Sequence, residues 1–336
     1  MLSSALEKHK KAFAKLRLDS IPGRYTEATN KRAPYKPFLL LAILDLIAQH
    51  EIKTNFIELN ADLLDVFDLY CTKVIGQDKE CNPVLPFFHL KSEGFWHLIP
   101  QVGKEEALQS SSPIRSLRIL RSLVLGAKFD DDLFALLLTS DNRDELRCVL
   151  IETYFAPDTR PILVEVGTIT KDTFEYSREI LDRARGVFRV EEAPAMSEEY
   201  GTESRSVAFR KVVVQAYNHT CAVCGIRLLT PEGRTAVAAS HIVPWSHSHN
   251  DDPRNGLALC GLHHWSFDQG MLTVTPAHEV AISTTVPTDD DATAALRTLA
   301  GHRIRIPPDE YLRPAKEALR WHNRNIFRSD VLRRLF

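Results

Sequence analysis

Residues 221–270 read CAVCGIRLLTPEGRTAVAASHIVPWSHSHNDDPRNGLALCGLHHWSFDQG, and they decide how the second half of the chain is understood. Cys221-x2-Cys224 and Cys260-x2-His263 are two short chelating pairs, with residues 225–259 between them. Together they supply the four soft or borderline donors of a closed tetrahedral zinc site. A lone C-x-x-C would say little, because buried free cysteines are common; the second pair makes structural zinc the expectation. Inside this frame lie His241, Asn255, His264 and Asp268. Asp268 follows His264 by four residues, so on one helix the two share a face. A carboxylate beside an imidazole suits Mg2+ or Mn2+. His247 and His249 read as loop residues without a metal role.

Three local words carry a resemblance: Ser240-His241-Ile242-Val243-Pro244-Trp245, Asn255-Gly256-Leu257-Ala258-Leu259-Cys260, and His264 to Gly270. Over about residues 206–275 the chain resembles the His-Asn-His (HNH) nucleases, whose site is a β-hairpin and helix gripping one divalent metal. The resemblance implies that His241, Asn255 and His264 are catalytic, with His241 as general base toward water and a catalytic divalent ion on His264 and Asp268. Asn255 has no useful acid–base chemistry; its amide can tie the loop so that His241 points at the phosphate. Two departures stand out. Many relatives place Asp before the first histidine, where this chain has Ser240, and many have a zinc-binding cysteine where this chain has His263.

Working outward, the chain has 336 residues, of which 44% are hydrophobic and 26% charged, as in a packed globular protein. That length suits about two domains. A net charge of −2 excludes a wholly basic nucleic-acid coat. Basic ends persist, with nine Lys/Arg against three Asp/Glu in residues 1–38 and nine against four in residues 301–336. Such ends are read equally well as anion contacts or as solvated helix faces. The longest apolar run, Phe38 to Ala48, is broken by Asp45 and too short to span a bilayer. The N-terminus MLSSALEKHKK carries charge where a secretion signal needs an apolar core, so the expected location is the cytoplasm. There, six cysteines are read first as metal chemistry rather than as a disulfide scaffold.

Apolar spacing predicts helices over 38–49, 59–69, 116–125, 130–138, 145–155 and 206–217, with an amphipathic basic helix over 314–327. Pro86 to Leu98 (PFFHLKSEGFWHL), aromatic and broken by Gly94, predicts a short β-hairpin. Residues 191–204 (EEAPAMSEEYGTES) are acidic and poor in apolar residues, as in a linker, with a connecting helix over 173–185 before them. The expected architecture is mixed and mainly α: a helical DNA-reading domain with a small β-hairpin over 1–165, a linker over 166–203, and a ββα-metal nuclease domain over 204–336.

Arg32-Ala33-Pro34-Tyr35-Lys36-Pro37, Pro86-Phe87-Phe88-His89-Leu90 and Gly94-Phe95-Trp96-His97-Leu98 carry a second resemblance. Residues 1–160 resemble the sulfur-binding domain of modification-dependent (type IV) restriction endonucleases. The resemblance implies a double-stranded DNA partner marked by phosphorothioate, with Arg32, Pro34, Tyr35, Lys36 and His89 as DNA-binding residues. Sulfur is larger, softer and less hydrated than oxygen, so an apolar cup favours it while nearby cations retain the phosphate. Pro34 and Tyr35 also fit a plain helix-entry motif, and Arg32 and Lys36 fit ordinary phosphate contacts. Arg115, Arg118 and Arg121 recur at helical spacing, as on a solvated face. Two other functions stay open: a nuclease reading another mark such as 5-methylcytosine, and a catalytically silent zinc-stabilised DNA-binding regulator. No membrane partner is expected, and the sequence leaves a homodimer open.

Overall fold

Apolar residues fill nearly every position of Tyr35–Ala48, and the computed structural model buries Lys36 through Ile47 without a break. A helix apolar on all sides must be covered on all sides, so this one organises the first half of the chain. The structure describes residues 2–76, 79, 81–109, 114–191, 200–230, 234–287 and 293–329. Two units divide it: Met1–Lys171 with Thr230–Arg234, and Asp172–Leu229 with Thr235–Phe336.

In the first unit α1 is Leu2–Phe13, α2 is Tyr35–Ala48, α3 is Ala61–Ile75 and α4 is Val84–His89. Strand β1 (Trp96–Pro100), helix α5 (Leu117–Leu123) and strand β2 (Val124–Phe129) follow, then α6 (Asp131–Leu137) and α7 (Ser140–Tyr154). Asn60 caps α3 by accepting from the Leu63 amide at 3.0 Å, which fixes where that helix starts. The 24-residue α8 (Arg160–Arg183) begins well before the helix expected over 173–185. Acidic residues 192–199 of the expected linker lie outside the described residues.

The hairpin expected over Pro86–Leu98 is not formed. Residues 84–89 are helical because Phe87, Phe88 and Leu90 all turn inward, and Pro86 sits in a first turn where its missing N–H is no loss. Gly94, at φ 86°, ends the turn that follows. β1 then pairs antiparallel with the distant β2, Trp96 opposite Phe129 and Leu98 opposite Ala127. The indole N–H of Trp96 donates to the Phe87 carbonyl at 3.0 Å, joining α4 to this sheet.

Two buried charges sit on α2. Asp45 accepts from the Tyr70 hydroxyl at 2.7 Å and pairs with Arg147 of α7. The carboxylate beside it and burial together hold the Tyr70 hydroxyl well above its ordinary value, burial being the larger cause. Lys36 is also turned inward rather than offered to a phosphate. Its ammonium donates to the Arg17 carbonyl at 3.0 Å and pairs with Glu93, with side chains only 10% and 4% exposed. Cys71 and Cys81 form a disulfide, a pairing that the metal-first reading of the cysteines did not anticipate.

The second unit contains α9 (Thr202–Ala216), β3 (Val237–His241), α10 (Trp245–Ser248), β4 (Gly256–Cys260) and α11 (Gly261–Asp268). The hairpin β5 (Leu272–Val274) and β6 (Val280–Ile282), then α12 (Ala294–Arg297) and α13 (Lys316–Asn325), complete it. β3 and β4 pair antiparallel, and α11 follows β4 directly. This is a ββα unit, backed by the apolar residues Phe209 and Val213 of α9. Gly256 opens β4 because a Cβ there would meet Val213 Cγ2 at 2.5 Å. Among the described residues no helix is long and apolar enough to cross a membrane.

Replacing Lys36 with Met should leave the Glu93 carboxylate buried without its cation. Breaking one side of a buried pair costs ~3–5 kcal/mol, which urea denaturation of the purified variant should register.

Candidate active site and metal centre

Strand β3 delivers His241 at its C-terminal end, opposite Gly256 on β4. Its ring lies flat on Phe209, with centroids 3.8 Å apart and planes 5° from parallel. The imidazole Nε2 stands 2.8 Å from Asp251 Oδ1, and Asp251 is itself buried. Asp251 also accepts from the Tyr176 hydroxyl of α8 at 3.0 Å, and the Arg205 guanidinium is 3.9 Å away. No sequence signal singled out Asp251, because its partner histidine is ten residues away across an irregular loop.

Asn255 is fully buried between the two strands. Its amide donates to the carbonyls of Val243 and Asn250, both at 3.0 Å, and its oxygen accepts from the Val243 N–H at 2.9 Å. The backbone adds Ile242 N–H to the Asn255 carbonyl at 2.8 Å. This clasp closes the loop between β3 and β4 directly behind His241.

On α11, His264 Nε2 and Asp268 Oδ2 lie 3.4 Å apart and both are solvent-accessible. Ser240 donates to the other Asp268 oxygen at 3.3 Å, so the serine standing where relatives have aspartate engages the carboxylate one helix away. His241, His264 and Asp268 line one cleft of about 380 Å³ with Ser240, Trp245, Phe267 and His322. An imidazole nitrogen and a carboxylate oxygen at this separation can share one hard divalent cation, which fits the donor preferences of Mg2+ or Mn2+. His322 is different in kind. Burial lowers its pKa to about 4, its Nε2 meets the Phe267 carbonyl at 3.2 Å, and it stays neutral as part of the wall.

The donor atoms of Cys221, Cys224, Cys260 and His263 all lie within 4.8 Å of one another, a set that could hold zinc. His263 Nδ1 is 3.1 Å from Cys260 Sγ and 3.5 Å from Cys221 Sγ. Burial pushes the Cys221 and Cys260 thiols up and the His263 imidazole down. A cation among them would reverse that preference for the thiols and hold them as thiolates.

Four of the expected DNA-reading residues, Arg32, Pro34, Tyr35 and Lys36, stand at the entry to α2, and His89 ends α4. Pro34 is the buried residue preceding the helix, Tyr35 its half-buried first residue, and Arg32 is exposed. His89 packs edge-on against Phe88, with ring centroids 5.4 Å apart. Burial, then the Lys36 and Lys91 charges, lower the pKa of His89 and so favour its neutral form. Arg121 donates to the Leu59 carbonyl at 2.9 Å, whereas Arg115 and Arg118 are exposed.

The sequence profile of the HNH endonuclease family matches residues 221–275. The profile of the ScoMcrA-like DNA sulfur-binding domain matches residues 18–171. A search among curated proteins finds no match. Among solved structures, a modification-dependent TagI restriction endonuclease shares 26% identity over 37% of this chain, at a TM-score of 0.30. The match spans 39% of that protein's length, and a superposition this weak says nothing about shared architecture. Two family profiles thus match successive stretches of one chain, that of the ScoMcrA-like DNA sulfur-binding domain first and that of the HNH endonucleases second.

Proposed function

We propose that this protein is a phosphorothioate-dependent restriction endonuclease of the cytoplasm, which binds sulfur-marked duplex DNA through its first domain and cuts nearby through its second. The observation that carries this reading is the coexistence of a sulfur-binding match over 18–171 with a cleft that gathers His241, His264 and Asp268. His241 takes a proton from water, the resulting hydroxide attacks phosphorus, and the bond to the 3′-oxygen breaks. A divalent ion held by His264 and Asp268, when bound, supplies charge for the phosphate and the departing oxygen. Asn255 holds the loop so that His241 faces the cleft, and Cys221, Cys224, Cys260 and His263 hold a structural zinc.

In the reader, half-buried Tyr35 provides apolar surface for sulfur, with buried Pro34 before it in the chain and His89 as a further DNA-binding residue. Burying a phosphate oxygen there would cost more desolvation than burying sulfur, which gives the preference its direction. Arg32, exposed and next to this surface, supplies the attraction to phosphate. Lys36 supports the site from inside through Glu93. Matched duplexes with and without one phosphorothioate, tested for binding and for cutting with Mg2+ or Mn2+, examine the whole reading. A preference for 5-methylcytosine over phosphorothioate would replace it.

Replacement of His241 by Ala should lower the cleavage rate by ~10²–10⁴-fold while leaving affinity for modified DNA nearly unchanged. Single-turnover cleavage and fluorescence anisotropy separate the two effects. Replacement of Pro34 or Tyr35 by Ser should weaken binding to modified duplex selectively, since unmodified binding comes from phosphate charge. Equal losses on both duplexes would remove these residues from sulfur recognition. Elemental analysis should find zinc in the wild-type protein and its loss in Cys221→Ser, with a lower melting temperature for the second domain.

A further inference from the structure

Asp251 belongs to none of the motifs above, yet it holds the histidine on which the proposed reaction depends. Its side chain is 4% exposed, and its two oxygens face different partners. Oδ1 meets His241 Nε2 at 2.8 Å, while Oδ2 accepts from the Tyr176 hydroxyl at 3.0 Å with Arg205 3.9 Å away. An ionised carboxylate only accepts hydrogen bonds. The proton of a neutral His241 would therefore reside on Nε2, leaving the lone pair on Nδ1 of a ring that lines the cleft. Phe209, stacked at 3.8 Å, fixes the plane of the ring, and Asp251 fixes its rotation within that plane.

We propose that Asp251 is the positioning residue of the nuclease site, holding His241 as the Nε2–H tautomer and stabilising the imidazolium formed when Nδ1 takes the proton of the attacking water. This rests on the nuclease reading above and names a residue that reading does not use. The arrangement follows the general logic by which a buried carboxylate orients a basic histidine. Tyr176 and Arg205 contribute by holding the carboxylate itself. They also decide what an asparagine would do at this position. Its carbonyl would be kept on the side of the Tyr176 hydroxyl and the Arg205 guanidinium, and its NH2 would face Nε2. An NH2 donating to Nε2 forces the histidine proton onto Nδ1, which removes the base without removing the ring.

The test uses the full-length protein and a phosphorothioate duplex under single-turnover conditions. Asp251→Asn should cut ~10²–10⁴-fold more slowly than wild type, the range of a general base, with DNA affinity within about two-fold. A structural defect in the loop would give similar slowing, so a second background separates the two. In His241→Gly, the further change Asp251→Asn should have no effect on the residual rate, because Asp251 acts only through His241. Asp251→Asn cutting within about three-fold of wild type, or slowing the His241→Gly protein as much as it slows wild type, overturns the assignment. A wild-type protein that cuts no duplex refutes the nuclease reading and this proposal with it.

Discussion

The clasp made by Asn255 is the constraint on which the catalytic half depends. One buried amide takes up both of its donor protons and its acceptor within a single loop, bridging Val243 and Asn250, while the Asn255 backbone carbonyl accepts from the Ile242 N–H. Leaving such groups unpaired in the interior would cost ~1–3 kcal/mol apiece, so the loop has one low-energy closure. That closure carries Asp251 and Asp252 inward, where each finds a cation or a hydroxyl. Without it, β3 and β4 would still pair, but His241 would end a strand beside an unanchored segment. Gly256 completes the constraint, because α9 approaches too closely for any side chain at that position.

A similar constraint acts in the first unit, where the two buried charges on α2 are each paired. Asp45 and Lys36 interrupt an otherwise apolar helix, and each is matched by a partner from a different part of the chain, Arg147 and Glu93. Buried pairs of this kind add little net stability over well-packed apolar residues, yet they are costly to break on one side. They act as register marks, in that a helix rotated or shifted along its axis would strand a charge. Pro34 and Tyr35 sit at the start of this helix, so the proposed sulfur-binding surface inherits its position from a rigid element.

Two donor sets of different character lie within residues 221–268. In the Cys and His quartet, which could hold zinc, Cys221 and His263 are buried, Cys260 is half-buried and Cys224 exposed, while His264 and Asp268 open to a cleft. His263 and His264 are consecutive on α11, so they point to different sides of the helix. One turn of helix therefore carries a donor of each set, and whatever fixes His263 also fixes the direction in which His264 projects.

Much of this was legible in the sequence because it is written at short range. Helical spacing marked α2, α3, α6, α7, α9 and α13, missing their ends by up to six residues, and the paired Cys and His spacings marked the donor quartet. His264 and Asp268 share a helix face simply because they are four residues apart. What the sequence could not disclose is every relation that depends on which distant segment covers a buried group. β1 reads locally like half of a hairpin, and only the fold pairs it with β2. Lys36 reads like a phosphate contact until Glu93 is brought against it, and Cys71 and Cys81 read like thiols until their loop closes. Asp251 carries no signal at all, since a carboxylate in a loop acquires meaning only when Tyr176 and His241 meet it from two separate elements. Spacing along the chain determines which side chains share a face. Burial determines which of them become partners, and burial is a property of the whole packed domain.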